Sequence, residues 1–167
     1  MNIIRIFLSN FVLLVPLLLS VIFTILFVLP FIPYEISFIA PLLGIMTTIF
    51  WIVNKPELMS WSSVLIIGLI HDFLLGLTVG LSCISLVIVR YIIIKLLYKY
   101  DGASILNTFL YIALGIFIWI TCVTLLRTVI QYQLFNYLNV FFQYFLSVTF
   151  SPIIILINKY IVNKLKQ

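Results

Sequence analysis

Asp72 and His71 stand side by side within an otherwise apolar stretch, and these two residues have the most chemistry to offer. A carboxylate can hold a proton or a ligand, and an imidazole exchanges protons near neutral pH. Arg90, farther along the same stretch, is the natural counter-charge. Two readings of Asp72 stay open. It is a proton or ligand site, or it is half of an ion pair with Arg90 that fixes one helix against the next. Intramembrane charges usually pair within the bundle, which makes the pair the simpler reading. Neighbouring residues on a helix diverge by about 100°, so His71 and Asp72 do not form a dyad. With a single histidine in the chain, a metal site lacks ligands. His71 is left with packing or hydrogen bonding on one reading, and a proton relay on the other.

Three further patterns recur at helical spacing. Asn139, Gln143, Ser147 and Ser151 are four apart and share one helix face. Thr121, Thr124 and Thr128 make a similar stripe. Such stripes line a small polar pocket or hydrogen-bond neighbouring helices, and the second is the commoner use inside membranes. Gly76 and Gly80 match a small-xxx-small pattern, with Gly68 two turns earlier. They serve first as a bend and second as a contact face. No serine–histidine–acid set, phosphate loop or metal cluster is present, so neither an enzyme nor a cofactor is expected.

The elements that must position these residues follow from composition. Of the 167 residues, 65% are apolar and only 8% charged, and mean hydropathy is +1.37. A soluble domain needs about a quarter of its residues charged, and disorder needs low hydrophobicity. Both classes are excluded, and an all-α integral membrane protein remains. Apolar segments divide at charged or proline-containing breaks into six spans, about 11–31, 36–53, 61–77, 82–98, 103–126 and 138–157. The run 61–98 would be about 57 Å long as one helix, against a hydrocarbon core of about 30 Å. It must fold back, and Gly76, Thr78 and Gly80 mark the place. Pro16, Pro41 and Pro152 fall inside spans, which membrane helices tolerate. The apolar run after Arg5 is longer than a signal peptide's and lacks a small-residue cleavage site, so it reads as a retained first helix.

Charge gives the orientation. With six spans and both termini cytoplasmic, Arg5, Lys55, Lys95, Lys99, Lys159, Lys164 and Lys166 fall on the inner side. Only Arg127 falls outside. The net charge of +5 therefore reports topology and contact with lipid, not nucleic acid. Trp51, Trp61 and several tyrosines near span ends fit interfacial anchoring, whereas Trp119 does not. Cys83 and Cys122 lie in apolar stretches and read as buried thiols.

The stretch 41–81 resembles the core signature of the MreD family of bacterial rod-shape-determining membrane proteins. Pro41 opens the second span, and Phe50-Trp51 stands where the family has Tyr-Trp. Pro56 follows in the loop, Gly68-Leu69 precedes Asp72, and Gly76 and Gly80 complete the pattern. Phe50 for tyrosine and Val79-Gly80 for Leu-Gly are mild departures. The resemblance covers about a quarter of the chain; elsewhere the likeness is in hydropathy and length.

This resemblance implies a non-catalytic scaffold of the cell-elongation machinery in the bacterial inner (cytoplasmic) membrane. Such proteins bind MreC. Through it they connect MreB filaments to RodA and a class B penicillin-binding protein, and so to peptidoglycan synthesis. It also implies a six-transmembrane-helix bundle similar to energy-coupling-factor transporter substrate-binding subunits. That likeness supplies the alternative, a vitamin-binding subunit, with the polar stripes lining a pocket. Those subunits dock through an Ala-x-x-x-Ala pattern on the first helix, where this chain has Val15-Pro16-Leu17-Leu18-Leu19-Ser20-Val21. A proton-coupled transporter would rest on Asp72 and His71 alone, and no inverted repeat supports it. Under the scaffold reading, Asp72 and Arg90 pin a rigid bundle that presents one face to MreC. Asn54–Ser60 and Lys159–Lys166 are the segments available to cytoplasmic partners, although the lysines also serve topology and anionic lipid. A homo-oligomer is compatible with the same composition.

Overall fold

A computed structural model of the chain describes residues 14–26, 40–99, 104–131 and 137–164. The described residues form six helices and no strand. They are α1 (Leu14–Leu26), α2 (Leu43–Asn54), α3 (Trp61–Leu75), α4 (Leu81–Lys99), α5 (Ile105–Gln131) and α6 (Tyr137–Lys164). Three of them, α4, α5 and α6, are long and apolar enough to cross a membrane, and the other three are shorter apolar helices.

The shortest of the six, α2, is the centre of the molecule. Its sequence is apolar on every side, and such a helix is stable only when surrounded. Ile45, Met46, Ile49, Trp51 and Ile52 are fully buried, and α2 packs against α4, α5 and α6. Gly115 of α5 lets the Ile49 and Ile93 side chains close in, since a Cβ there would meet Ile49 at 2.8 Å. On the other side, Ser20 and Thr24 of α1 lie buried against Gly44. Their hydroxyls donate to carbonyls of their own helix, those of Pro16 and Ser20, at 2.8 Å each. Small residues with internally satisfied hydroxyls allow this close crossing.

The outer faces are apolar. Leu106, Phe117 and Leu125 of α5 and Phe141, Phe145 and Leu156 of α6 are all more than half exposed. Water would make such a surface an aggregation site; hydrocarbon makes it ordinary. The described elements are all helical, and their apolar outer faces are consistent with a helical membrane protein.

Several sequence expectations change. Pro41 lies before α2, not inside a span: the helix begins at Leu43, whose N–H reaches the Pro41 carbonyl at 2.9 Å. Trp51 is no interfacial anchor but is fully buried. Arg127 lies within α5, which runs on to Gln131, and not in a loop. Lys159 and Lys164 belong to α6, not to a free tail, with the Lys164 ammonium 5.3 Å from the Tyr160 ring. The fold-back is at the expected place, with helix ends at Leu75 and Leu81. Arg5, Pro30, Pro33, Glu35, Asp101 and Lys166, with residues 11–13, 27–31, 36–39 and 103 of the expected spans, lie outside the described residues.

Candidate functional site

The residues of the 41–81 signature come together as one hairpin and its support. The turn between α3 and α4 is built by two glycines. Gly76 ends α3 in the left-handed conformation, φ 61°, and Gly80 has φ 102°. Side chains disfavour both conformations, which gives glycine a physical reason at each position. Nothing lies within 4 Å of where either Cβ would be. The pair is therefore a bend and not a helix-contact face. Gly68 is the contact residue. A Cβ there would meet the Cys83 backbone at 2.7 Å, so α3 and α4 touch main chain to main chain. Cys83 is a buried free thiol, and its Sγ donates to the Leu65 carbonyl at 3.4 Å.

Asp72 holds the turn from inside. One carboxylate oxygen accepts the Gly80 N–H at 2.7 Å and the other accepts the Ser82 N–H at 2.9 Å. The first N–H groups of a helix have no partner within it, and they carry the positive end of its dipole. A carboxylate there satisfies both needs. Asp72 thus caps α4 from the preceding helix. Its own carbonyl accepts the Leu77 N–H at 2.9 Å. With no part of Asp72 exposed, this is the environment in which a buried carboxylate is stable without a cationic partner.

The expected ion pair with Arg90 is absent. Arg90 lies about two and a half turns into α4, so it sits well away from the turn. Its side chain runs to the other end of α3. Nη1 donates to the Met59 carbonyl, and the guanidinium lies 4.7 Å from the centre of the Trp61 ring. The two charges are thus held at opposite ends of one hairpin, Asp72 by amide hydrogens and Arg90 by a carbonyl and an aromatic face.

His71 and Asp72 diverge as adjacent helical positions must, but they converge on one residue. His71 Nδ1 is 3.1 Å from the Ser82 hydroxyl, while Asp72 takes the Ser82 amide. The His71 ring also meets Trp119 edge-on at 5.1 Å, which joins the hairpin to α5. Both rings are buried. His71 thus has the packing and hydrogen-bonding surroundings that one of its two readings requires.

The α6 stripe is engaged with α2. Gln143 Nε2 donates to the Ala40 carbonyl at 3.3 Å, and Ser147 Oγ accepts the Leu42 N–H at 3.1 Å. Ser151 Oγ donates to the Val148 carbonyl at 2.7 Å. Pro152 has no N–H for that same carbonyl, so the serine replaces the bond that the proline removes. Asn139, half-buried in the first turn, takes no part in these contacts. On α5, Thr121, Thr124 and Thr128 donate to carbonyls of their own helix, and Thr121 and Thr128 are exposed. Apart from Asn139, both stripes are thus engaged with α2 or with their own helices.

Sequence reasoning missed Asn158. It is fully buried, its Oδ1 accepts the Trp51 indole N–H at 3.0 Å, and its Nδ2 donates to the Ile154 carbonyl at 2.9 Å. The signal was there, because Asn158 lies two turns beyond Ser151 on the same face. Its place near the lysines disguised it as part of a tail. Met59 and Ser82 were also missed, the first because its backbone, not its side chain, does the bonding.

Ser82 Oγ lies against the His71 imidazole but is fully buried, and no group of His, Cys, Asp or Glu among the described residues could hold a metal ion. Most of these polar groups bond within the bundle, whereas Thr78 Oγ1, Arg90 Nε and Trp119 Nε1 are buried without a hydrogen-bond partner. No family model, no curated protein and no solved structure matches the chain.

Proposed function

We propose that the chain is a non-catalytic scaffold of the cell-elongation machinery, similar to MreD. It crosses the cytoplasmic membrane of a bacterium six times, with both termini inside. It binds MreC, and through that partner helps couple MreB filaments to RodA and a class B penicillin-binding protein. The observation that carries this reading is the unity of the signature residues. Gly68, Asp72, Gly76 and Gly80 each have a separate physical task in one hairpin, and Trp51 ties the central helix to α6. Bonding of Asp72, Gln143 and Ser147 inside the bundle also suits a scaffold, which presents an outer face to a partner helix. The vitamin-binding alternative is weakened by the same facts, since the groups that would line its pocket already bond α2 or their own helices.

The test is affinity purification from the native host in mild detergent, followed by mass spectrometry. MreC, RodA or a transpeptidase among the co-purifying proteins is the expected result. Recovery of paired ATPases with a coupling membrane subunit would replace the scaffold with a vitamin transporter.

A further inference from the structure

Arg90 is 6% exposed, and its guanidinium stays charged in any protein environment. Nη1 has the Met59 carbonyl and the flat face has Trp61, but Nε is buried without a partner. No carboxylate among the described residues reaches it. Asp72 is held at the other end of the hairpin, and Glu57 is exposed without an ion pair. A carbonyl and an aromatic ring offset part of the cost of burying a cation, not its charge. Among the described residues, no anion is provided for the guanidinium.

What lies beside it suits an anion. Trp61 opens α3, whose first turn carries the positive end of the helix dipole. Ser60 Oγ and the Ser60 carbonyl take the N–H groups of Ser63 and Val64, which leaves those of Trp61 and Ser62 in the first turn. The Ser60 hydroxyl lies there 3.2 Å from that of Ser62 and 2.9 Å from that of Ser63. Ser62 is exposed, and Trp61 is 48% exposed. A half-exposed tryptophan at a helix end belongs at headgroup level. Arginine matches phosphate oxygens with two parallel N–H groups.

We infer that Arg90 and the first turn of α3 bind a phosphate group, carried into the site on the headgroup of a membrane phospholipid. The inference does not depend on which protein the chain assembles with.

The test uses the full chain purified in dodecyl maltoside and follows thermal unfolding and native mass spectra. The probes are phosphatidylglycerol, inorganic phosphate, and diolein as a lipid without phosphate. Phosphatidylglycerol should raise Tm and stay bound in the spectra, and diolein should do neither. Arg90→Gln should weaken the apparent affinity for phosphatidylglycerol at least tenfold. Ser62→Glu covers the case in which Arg90→Gln does not fold. It places a negative charge in the same exposed turn, where the helix dipole tolerates it, and should also lower affinity about tenfold. An equal response to inorganic phosphate would overturn the lipid source. Binding of phosphatidylglycerol unchanged by Ser62→Glu, or by a folded Arg90→Gln, would overturn the site.

Discussion

Asp72→Ala removes the acceptor of two amide hydrogens at once, one buried and one half-buried. Leaving both donors without it should cost about 1–3 kcal/mol, most of it at the buried Ser82 amide. Asp72→Asn keeps one good acceptor and turns a donor toward the second amide, so its loss should be roughly half as large. Denaturant or thermal unfolding in detergent measures the order wild type, Asn, Ala. If both variants match the wild type in stability and only growth or cell shape suffers, the capping role gives way to a direct functional one. The sequence made Asp72 conspicuous but could not name its partner. Arg90 was the one other formal charge in reach by helical rise, whereas the true partners were two backbone amides that a sequence does not display. A charge is visible in a sequence; a helix end that needs one is visible only once the turn is known. The same limit hid Met59, whose carbonyl faces Arg90.

Elements were more legible than their contacts. Hydropathy placed the fold-back between α3 and α4 to within a residue or two, because a long apolar run cannot remain one helix in a bilayer. It misjudged where α2 begins and where α5 and α6 end. The α2 start is set by Gln143 and Ser147 of α6, which bind the backbone of Ala40 and Leu42, a long-range cause. The ends of α5 and α6 carry polar residues that read as loop or tail. The contact between α2 and α6 is testable through Trp51 and Asn158. A double-mutant cycle with Trp51→Phe and Asn158→Leu should give a coupling of about 0.6–1.7 kcal/mol, the range for hydrogen bonds between membrane helices. Additive losses would mean that the bond contributes nothing beyond packing. The single Asn158→Leu variant should be the worse of the two, because it also buries an indole N–H without an acceptor.

For the whole molecule, the proposed orientation makes a sharp demand on labelling. In a background with Cys83 and Cys122 replaced, Glu57→Cys and Lys164→Cys should both react only when reagent reaches the cytoplasm, and Val79→Cys should never share that pattern. Lys164→Cys reacting from outside would sink the six-crossing topology. The bundle also has unequal sides. By helical rise α3 is about 22 Å long, while α5 and α6 are about 40 Å. Leu65, Ile66, Leu69 and Phe73 of α3 are exposed, so in the proposed orientation lipid would meet the short side directly. Hydrocarbon about 30 Å thick is too deep for α3 and too shallow for upright α5 and α6. Acyl chains must compress along one flank, and the long helices must lean or stretch them along the other, at fractions of a kcal/mol per Å. Reconstitution should therefore show a stability maximum in lipids thinner than those that suit α5 and α6 alone. A stability that rises steadily with chain length would contradict this. In the proposed orientation the protein would carry a wedge of thinned bilayer beside it, and helices too short for ordinary membrane would lose less by gathering on that side than anywhere else.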